Sequence, residues 1–196
     1  MNDDQAKEVL HRYLRTGRDA LLWKLDGLPE YDVRRPLTPT GTNLLGLVKH
    51  TASVASEYFG SVFERPFPEP LPWFVEGAED NADMWATAEE SREDIVGLYQ
   101  RAWTHADATI ESLDLDAQGH VPWWRGSGQE SVTLHQILVH MIAELNRHAG
   151  HADIVREQID ATAGLSERTS NLPDHDPEWW STYRTRLEEA ARTASS

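Results

Sequence analysis

Apolar side chains recur at every third or fourth position in four long segments of this chain. This spacing places apolar residues on one face of an α-helix. The segments cover about 4–26, 42–59, 88–113 and 133–161. No sustained alternation of apolar and polar residues, the pattern of a half-buried strand, lies between them. The pattern therefore predicts an all-α protein with four long amphipathic helices.

Each of the four helices has an apolar stripe that we predict to form the core. We expect the first helix to end at Gly27, because glycine followed by proline commonly ends a helix. We expect Thr40 or Thr42 to cap the second helix. The predicted inward residues are Val9, Leu10, Tyr13, Leu14, Leu21, Leu22 and Leu25, then Leu44, Leu47, Val48, Val54 and Tyr58, then Ile95, Leu98, Tyr99, Ala102 and Ile110, and finally Leu134, Ile137, Leu138, Met141, Leu145, Ala152 and Val155.

The connection between the second and third helices is long and rich in proline. It reads ERPFPEPLPWFVEGAEDNADMW and contains four prolines, which interrupt helices because they lack a backbone N–H. The segment DPEWWSTYRTRLEEAARTA predicts a fifth, shorter helix after Pro177. We therefore expect one domain over residues 1–196. It would be a four-helix bundle at about 5–160, with a long irregular crossover between helices two and three, and a C-terminal extension at 161–196.

The charge of the chain limits the partners that it can bind. The sequence has 196 residues and a formal net charge of −15. Nucleic acids and anionic membrane surfaces attract basic faces, so we expect neither as a partner. The acidic N-terminus lacks the apolar run of a signal peptide, and no apolar stretch of 18 residues occurs. We therefore expect a cytoplasmic protein without a transmembrane helix.

The sequence contains no cysteine. This composition excludes disulfides and a cysteine nucleophile. Any thiol chemistry would therefore have to come from a bound small molecule.

A ladder of polar side chains follows the apolar stripe of the fourth helix. In LVHMIAELNRHAGHADIVRE, residues His140, Glu144 and His148 are spaced by four, and His151 comes shortly after. Residues four apart lie on the same helix face, so Glu144 and His148 can present an oxygen and a nitrogen to one point. A carboxylate beside an apolar stripe favours a partner or a metal. The alternative is a solvated rim, because an isolated E-x-x-x-H motif is a weak signal.

A third candidate ligand, His50, lies in the second helix, on or near its inner face. A lone core histidine is usually satisfied by a carbonyl or hydroxyl group, and that interpretation stays open. Packing of neighbouring helices can also bring His50 opposite Glu144 and His148. Two histidines and one carboxylate with an open position form the ligand set of a catalytic zinc site, or of a ferrous or nickel site with other geometry.

The remaining histidines have weaker patterns. His140 is a candidate supporting partner, and His151 is a candidate supporting or substrate contact. Either could assist proton transfer, because imidazole titrates near neutral pH. We expect surface positions for the other five, which are His11, His105, His120, His135 and His175.

Trp123, Trp124 and Arg125 precede the fourth helix by a short glycine-containing loop. One interpretation is that the tryptophans line the mouth of a pocket, where Arg125 meets an anionic group of a thiol or substrate. The other is that they cover the end of the bundle as ordinary apolar bulk.

These residues resemble the DinB-like (DinB/YfiT) superfamily. The resemblance rests on the histidine in the second helix and, far downstream, on the motif E-L-N-R-H-A-G-H-A that begins at Glu144. The stretch VPWWRGSGQESVTLHQILVHMIAE is similar to the loop and helix entry of a bacterial DinB-like subfamily. The resemblance spans roughly 5–160. It implies a four-helix bundle that binds a divalent metal through His50, Glu144 and His148, and it is compatible with a homodimer.

A glutamate at position 144, where many members have histidine, resembles the mycothiol-dependent branch. That branch is typified by mycothiol-dependent maleylpyruvate isomerase and related thiol S-transferases. The resemblance implies zinc, with nickel or iron as alternatives. It also implies an S-transferase or isomerase, in which mycothiol or a similar thiol attacks an electrophile in conjugation or isomerisation. A metal-dependent hydrolase and a non-catalytic, stress-associated metal-binding protein stay open as alternatives.

The sequence departs from this branch in two places. The isomerase has an additional C-terminal domain, for which the segment after residue 160 is too short, so we do not expect that isomerisation itself. Many relatives read H-R-G-Q after the last ligand, whereas this chain reads H-A-G-H from His148 to His151. The second departure leaves the role of His151 open.

Overall fold

The computed structural model describes residues 2–126 and 128–195, and this part of the chain is mostly helical. The all-α prediction is therefore confirmed. Two short strands that the sequence pattern did not predict form an antiparallel hairpin before the longest helix, with Gly119 opposite Val132. The elements are α1 (Asp3–Trp23), α2 (Glu30–Arg34), α3 (Leu44–Tyr58), α4 (Arg92–Ser112), β1 (Gln118–His120), β2 (Ser131–Thr133), α5 (Leu134–Asp160) and α6 (Pro177–Ala194), with 3-10 turns at Ser61–Phe63, Pro72–Phe74 and Pro122–Trp124.

Polar side chains fix the starts of the long helices. Ser91 forms a reciprocal capping box at the start of α4. Asn43 caps α3, because its Oδ1 accepts a hydrogen bond of 2.7 Å from the N–H of Gly46. The prediction of Thr40 or Thr42 as this cap was wrong. A residue directly before the first helical position reaches the free N–H groups, and the threonines lie too far upstream.

The core lies between α1, α3, α4 and α5. Helix α3 packs against α4 and α5, and α1 packs against α5. Nearly all of the predicted inward residues are buried or half-buried. Tyr13 is the exception at 59% exposed, so its prediction was wrong. The buried stripe of α1 passes through Leu14, Gly17 and Leu21, and Tyr13 lies about 100° around the helix axis from Leu14.

A partly buried ionic cluster joins α1 to α4. His11 is only 8% exposed, and its Nε2 lies 2.6 Å from Oδ1 of Asp107. Arg18 donates to both carboxylate oxygens of Asp107 at 2.8 Å. The prediction of a surface position for His11 was therefore wrong. A histidine can be buried when a neighbouring helix supplies a carboxylate, and the sequence pattern of one helix does not reveal that partner.

The proline-rich crossover runs along α3. Trp73 donates its indole N–H to Ser53 Oγ at 2.8 Å, and Lys49 donates to the carbonyl oxygen of Trp85 at 3.0 Å. Ser53, the acceptor on the helix, and Lys49, the donor on the helix, both lie within one turn of His50. The crossover therefore contacts the part of α3 that carries this candidate ligand.

The approach of the crossover to α3 is close enough to require glycine at one position. A Cβ atom at Gly46 would lie 1.8 Å from the carbonyl oxygen of Met84. No side chain fits in that gap without moving the backbone of the crossover. Gly46 therefore sets the distance between the crossover and the helix.

Helix α6 begins at Pro177, as the sequence predicted. None of its residues is buried, and Trp179 stacks on the ring of Tyr183 at 5.1 Å within the helix. Among the described residues, no helix is long and apolar enough to span a membrane.

The cluster around Asp107 predicts a stability that depends on pH. Burial alone would raise the pKa of Asp107, but hydrogen bonds from His11 and Arg18 outweigh burial and hold this pKa below its ordinary value of 3.8. A carboxyl whose pKa is lower in the folded state stabilises the fold above its unfolded-state pKa. That contribution is lost as the pH falls through the folded-state pKa.

We therefore expect Asp107→Asn to lower the free energy of unfolding by about 2 kcal/mol at pH 7, because Arg18 loses its charged acceptor. The loss should be smaller at pH 3, and urea unfolding at both pH values measures it. Asp19→Asn is the control, since Asp19 is exposed and lies 3.8 Å from Arg18. An equal loss at both pH values would contradict the role of the ionised carboxylate.

Candidate metal centre

Helices α3 and α5 bring together the three residues that the sequence indicated as ligands. One donor atom from each of His50, Glu144 and His148 lies within 4.8 Å of the other two. Glu144 Oε1 lies 2.9 Å from His148 Nε2 and 3.9 Å from His50 Nε2. The ring centroids of the two histidines are 4.7 Å apart. The distances make one compact group of two imidazoles and one carboxylate.

The local fold explains why these side chains converge. Glu144 and His148 lie one turn apart on α5, beside the buried stripe of Met141 and Leu145. His148 is buried, and the Glu144 side chain keeps an exposed fraction of 27%. The group thus lies at the edge of the core, where one side remains open to small molecules.

The charges in this group suit a cation. Burial would raise the pKa of Glu144, but the hydrogen bond from His148 and the charges of His148 and His50 outweigh it and lower the pKa. Burial and the nearby charge of His50 lower the pKa of His148, against the opposing effect of Glu144. An ionised carboxylate and a neutral imidazole are the forms that bind a metal ion.

The donor set fits a divalent metal ion. The Nδ1 atom of His148 is buried and has no hydrogen-bond partner within 2–126 and 128–195. The other ring nitrogen, Nε2, is the donor atom that lies toward Glu144. Two imidazole nitrogens and one carboxylate oxygen match the ligands that zinc takes in catalytic sites.

Asp83 supports His50 and was not predicted from the sequence. Its Oδ2 lies 2.6 Å from His50 Nδ1, so the other ring nitrogen of His50 remains toward Glu144. Burial would raise the pKa of Asp83, but the hydrogen bond and charge of His50 hold it below 3.8. Histidine ligands of metals usually donate their second N–H to a carboxylate.

The sequence offered one signal for Asp83: a histidine that binds a metal usually has a carboxylate partner. The crossover carries three acidic residues in its segment Glu79–Asp83, and Glu79 and Asp80 are exposed. Nothing in the sequence indicates which of the three turns toward α3. The close approach of the crossover to Gly46 determines that Asp83 turns toward α3.

A cavity of about 410 Å³ opens beside His50. The second 3-10 turn and the end of the crossover form part of its wall, so the crossover covers one side of the site. The lining residues are His50, Val54, Glu57, Tyr58, Phe74, Asp83 and Trp123.

The predicted pocket residues before α5 take three different positions. Trp123 lines the cavity, and both Trp123 and Trp124 donate their indole N–H to the hydroxyl of Tyr58, at 3.2 and 3.1 Å. Trp124 packs edge-on against His140 at 5.0 Å. Arg125 is exposed and is not among the residues that line the cavity.

His140 and His151 lie next to the three-residue group without joining it. The ring of His140 is 4.8 Å from that of Tyr58, and burial lowers its pKa against the opposing charge of Glu144. The ring of His151 is 5.5 Å from that of His148. The group of His, Asp and Glu side chains that could hold a metal comprises, among the described residues, His50, Glu144 and His148.

The comparison with protein families now adds an independent observation. The model of the mycothiol-S-transferase family matches residues 9–161. The chain belongs to the mycothiol-S-transferase family. This family is DinB-like, so the resemblance found in the sequence is confirmed. No curated protein matches the chain. The part matched to the mycothiol-S-transferase family contains all three candidate metal ligands and ends with α5.

The contact between Asp83 and His50 yields a prediction. We expect Asp83→Ala to weaken zinc binding by about 10- to 100-fold, because His50 loses the carboxylate that orients its ring. Competition with a chromophoric chelator measures this affinity. Asp80→Ala is the matched control, because Asp80 is an exposed acid of the same crossover. Equal affinities of the two variants would contradict a supporting role for Asp83.

Proposed function

We propose that this chain is a metal-dependent S-transferase that joins a thiol of the mycothiol type to an electrophile. One observation carries the proposal: His50, Glu144 and His148 converge beside a cavity of about 410 Å³. The match to the mycothiol-S-transferase family supports the choice of thiol. The chain has no cysteine, so the reacting sulfur would come from the small molecule.

In this proposal His50, Glu144 and His148 hold a divalent metal, with zinc as the first choice and nickel or iron as alternatives. When bound, the metal supplies positive charge that favours a thiolate over a thiol at neutral pH. Asp83 fixes the tautomer of His50 by accepting from Nδ1. Glu144, whose Oε1 lies 2.9 Å from His148 Nε2, would supply the negative charge that balances the bound cation.

The number of protein donors favours a catalytic site over a structural one. Structural zinc sites are closed by four protein ligands, whereas catalytic sites use three and leave a position open. Among the described residues the group has three donors, and the ring of His151 stays outside it. His140 and His151 remain our proposed groups for proton transfer. Trp123 and Trp124 remain proposed substrate contacts, and Arg125 remains a proposed contact for an anionic group of the thiol.

We further propose that α1, α3, α4 and α5 form a DinB-like four-helix bundle within one domain over 1–196. The packing of α3 on α4 and α5, and of α1 on α5, supports this arrangement. The proposed partners are a small-molecule thiol and an electrophile, with a second copy of the chain as a possible subunit. A cytoplasmic location stays an expectation from the sequence.

The test is thiol-dependent turnover of 1-chloro-2,4-dinitrobenzene by zinc-loaded protein that carries no metal-binding tag. The thiolate sulfur forms a bond to the ring carbon, chloride leaves with its electron pair, and the thiol proton passes to the buffer. We expect turnover with mycothiol and a loss of at least about 100-fold in His148→Ala, because a metal ligand is removed. His135→Ala is the control, since His135 is an exposed histidine of the same helix.

Other outcomes would replace the proposal. Hydrolysis of ester substrates without added thiol would favour a metal-dependent hydrolase, in which the open position holds water. Stoichiometric zinc with neither activity would favour a non-catalytic metal-binding protein.

A further inference from the structure

We propose that the cavity beside the metal centre binds the electrophile and selects aromatic electrophiles that are cationic or neutral over anionic ones. This inference rests on the proposed S-transfer and adds the substrate class. It follows from the apolar walls of the cavity, from its charges, and from one carboxylate that has no partner among the described residues.

The walls of the cavity are largely aromatic. Phe74 comes from the crossover, Trp123 from the turn before α5, and Tyr58 from the end of α3. Phe74 and Trp123 are 42% and 45% exposed, so two large apolar side chains face solvent at this place. A volume of about 410 Å³ suits a small aromatic molecule, which would cover these rings.

The charges that line the cavity are negative. Glu57 and Asp83 are its acidic side chains, and no lysine or arginine is among the described lining residues. Asp83 is engaged by His50. Glu57 is half-buried and forms no ion pair or side-chain hydrogen bond within 2–126 and 128–195. It is therefore the carboxylate that is free to meet a ligand.

Glu57 lies on the same wall of the cavity as the candidate ligand His50. His50, Val54 and Glu57 follow one another at spacings of four and three on α3, so they share one helix face. Glu57 thus lies two turns from the metal-binding group along the same wall. A negative charge at that distance repels an anionic electrophile and attracts a cationic one.

The aromatic walls of the cavity also favour a cationic electrophile. A cation over the face of Trp, Tyr or Phe is attracted by the ring, and quaternary ammonium groups are bound in this way. Arg125 does not line the cavity, so it does not offset the carboxylates there. The expected order of preference is cationic, then neutral, then anionic.

The test compares electrophiles that differ mainly in charge. Monobromobimane and its trimethylammonium derivative form a neutral and cationic pair, and 1-chloro-2,4-dinitrobenzene and 4-chloro-3,5-dinitrobenzoate form a neutral and anionic pair. In each case the thiolate sulfur displaces a halide, and the thiol proton passes to the buffer. Each kcat/KM is divided by the uncatalysed rate constant with the same thiol, which removes intrinsic reactivity.

We expect zinc-loaded protein to favour the cationic over the neutral bimane, and the neutral over the anionic nitrobenzene, by about three- to tenfold each. Glu57→Gln should bring both ratios close to one, and Glu57→Lys should reverse them. Glu89→Gln is the control, because Glu89 is an exposed acid of the crossover that does not line the cavity. It should keep the ratios of the parent protein.

Two outcomes would overturn the inference while S-transfer itself stands. One is that Glu57→Gln leaves both ratios unchanged although the neutral electrophiles are turned over. The other is that Glu57→Gln raises the KM for the thiol alone, which would assign the carboxylate to the thiol.

A binding experiment tests the cavity independently of turnover. Calorimetry with unreactive benzyltrimethylammonium and phenylacetate should show binding of the cation only, weakened several-fold in Glu57→Gln and in Trp123→Ala. Failure of the cation to bind, or tighter binding of phenylacetate, would overturn the inference even if the proposed S-transfer had already failed.

Discussion

The carboxylate of Glu144 lies beside the apolar face of α5, and the arrangement around it depends on how that charge is compensated. His148 provides one partner from the next turn of the same helix, and His50 provides another from α3. A partly buried carboxylate is costly without such partners. The same convergence that satisfies the charge also ties α3 to α5 and leaves donor atoms aimed at one point. The contacts that compensate this charge in the fold are therefore made by the same three residues that form the candidate metal site.

The crossover between α3 and α4 completes the site from outside the core. It places Asp83 against His50, while Phe74 becomes part of the cavity wall. Its close contact with Gly46 fixes how near this segment lies to the helix. A segment that links two helices thus also orients a candidate ligand and shapes the space where a substrate would bind.

The helices and the pair of Glu144 and His148 could be predicted because both follow from local spacing, whereas the ligand role of His50 was implied by the resemblance to the DinB-like superfamily. Apolar residues at helical intervals define the stripes, and the interval of four between Glu144 and His148 fixes their common face. Asp83, the cap at Asn43 and the burial of His11 could not be predicted in this way. Each of these features depends on the path of a loop or on a partner from another helix. The periodicity of a single segment does not encode such contacts.

The central claim is that His50, Glu144 and His148 hold one metal ion that leaves a position open for a thiol. X-ray absorption at the zinc edge of the zinc-loaded protein, with and without mycothiol, tests it most directly. The account predicts one zinc per chain with two imidazoles and an oxygen ligand, and a sulfur at about 2.3 Å once the thiol is added. A spectrum without imidazole ligands, or one that the thiol leaves unchanged, would contradict it.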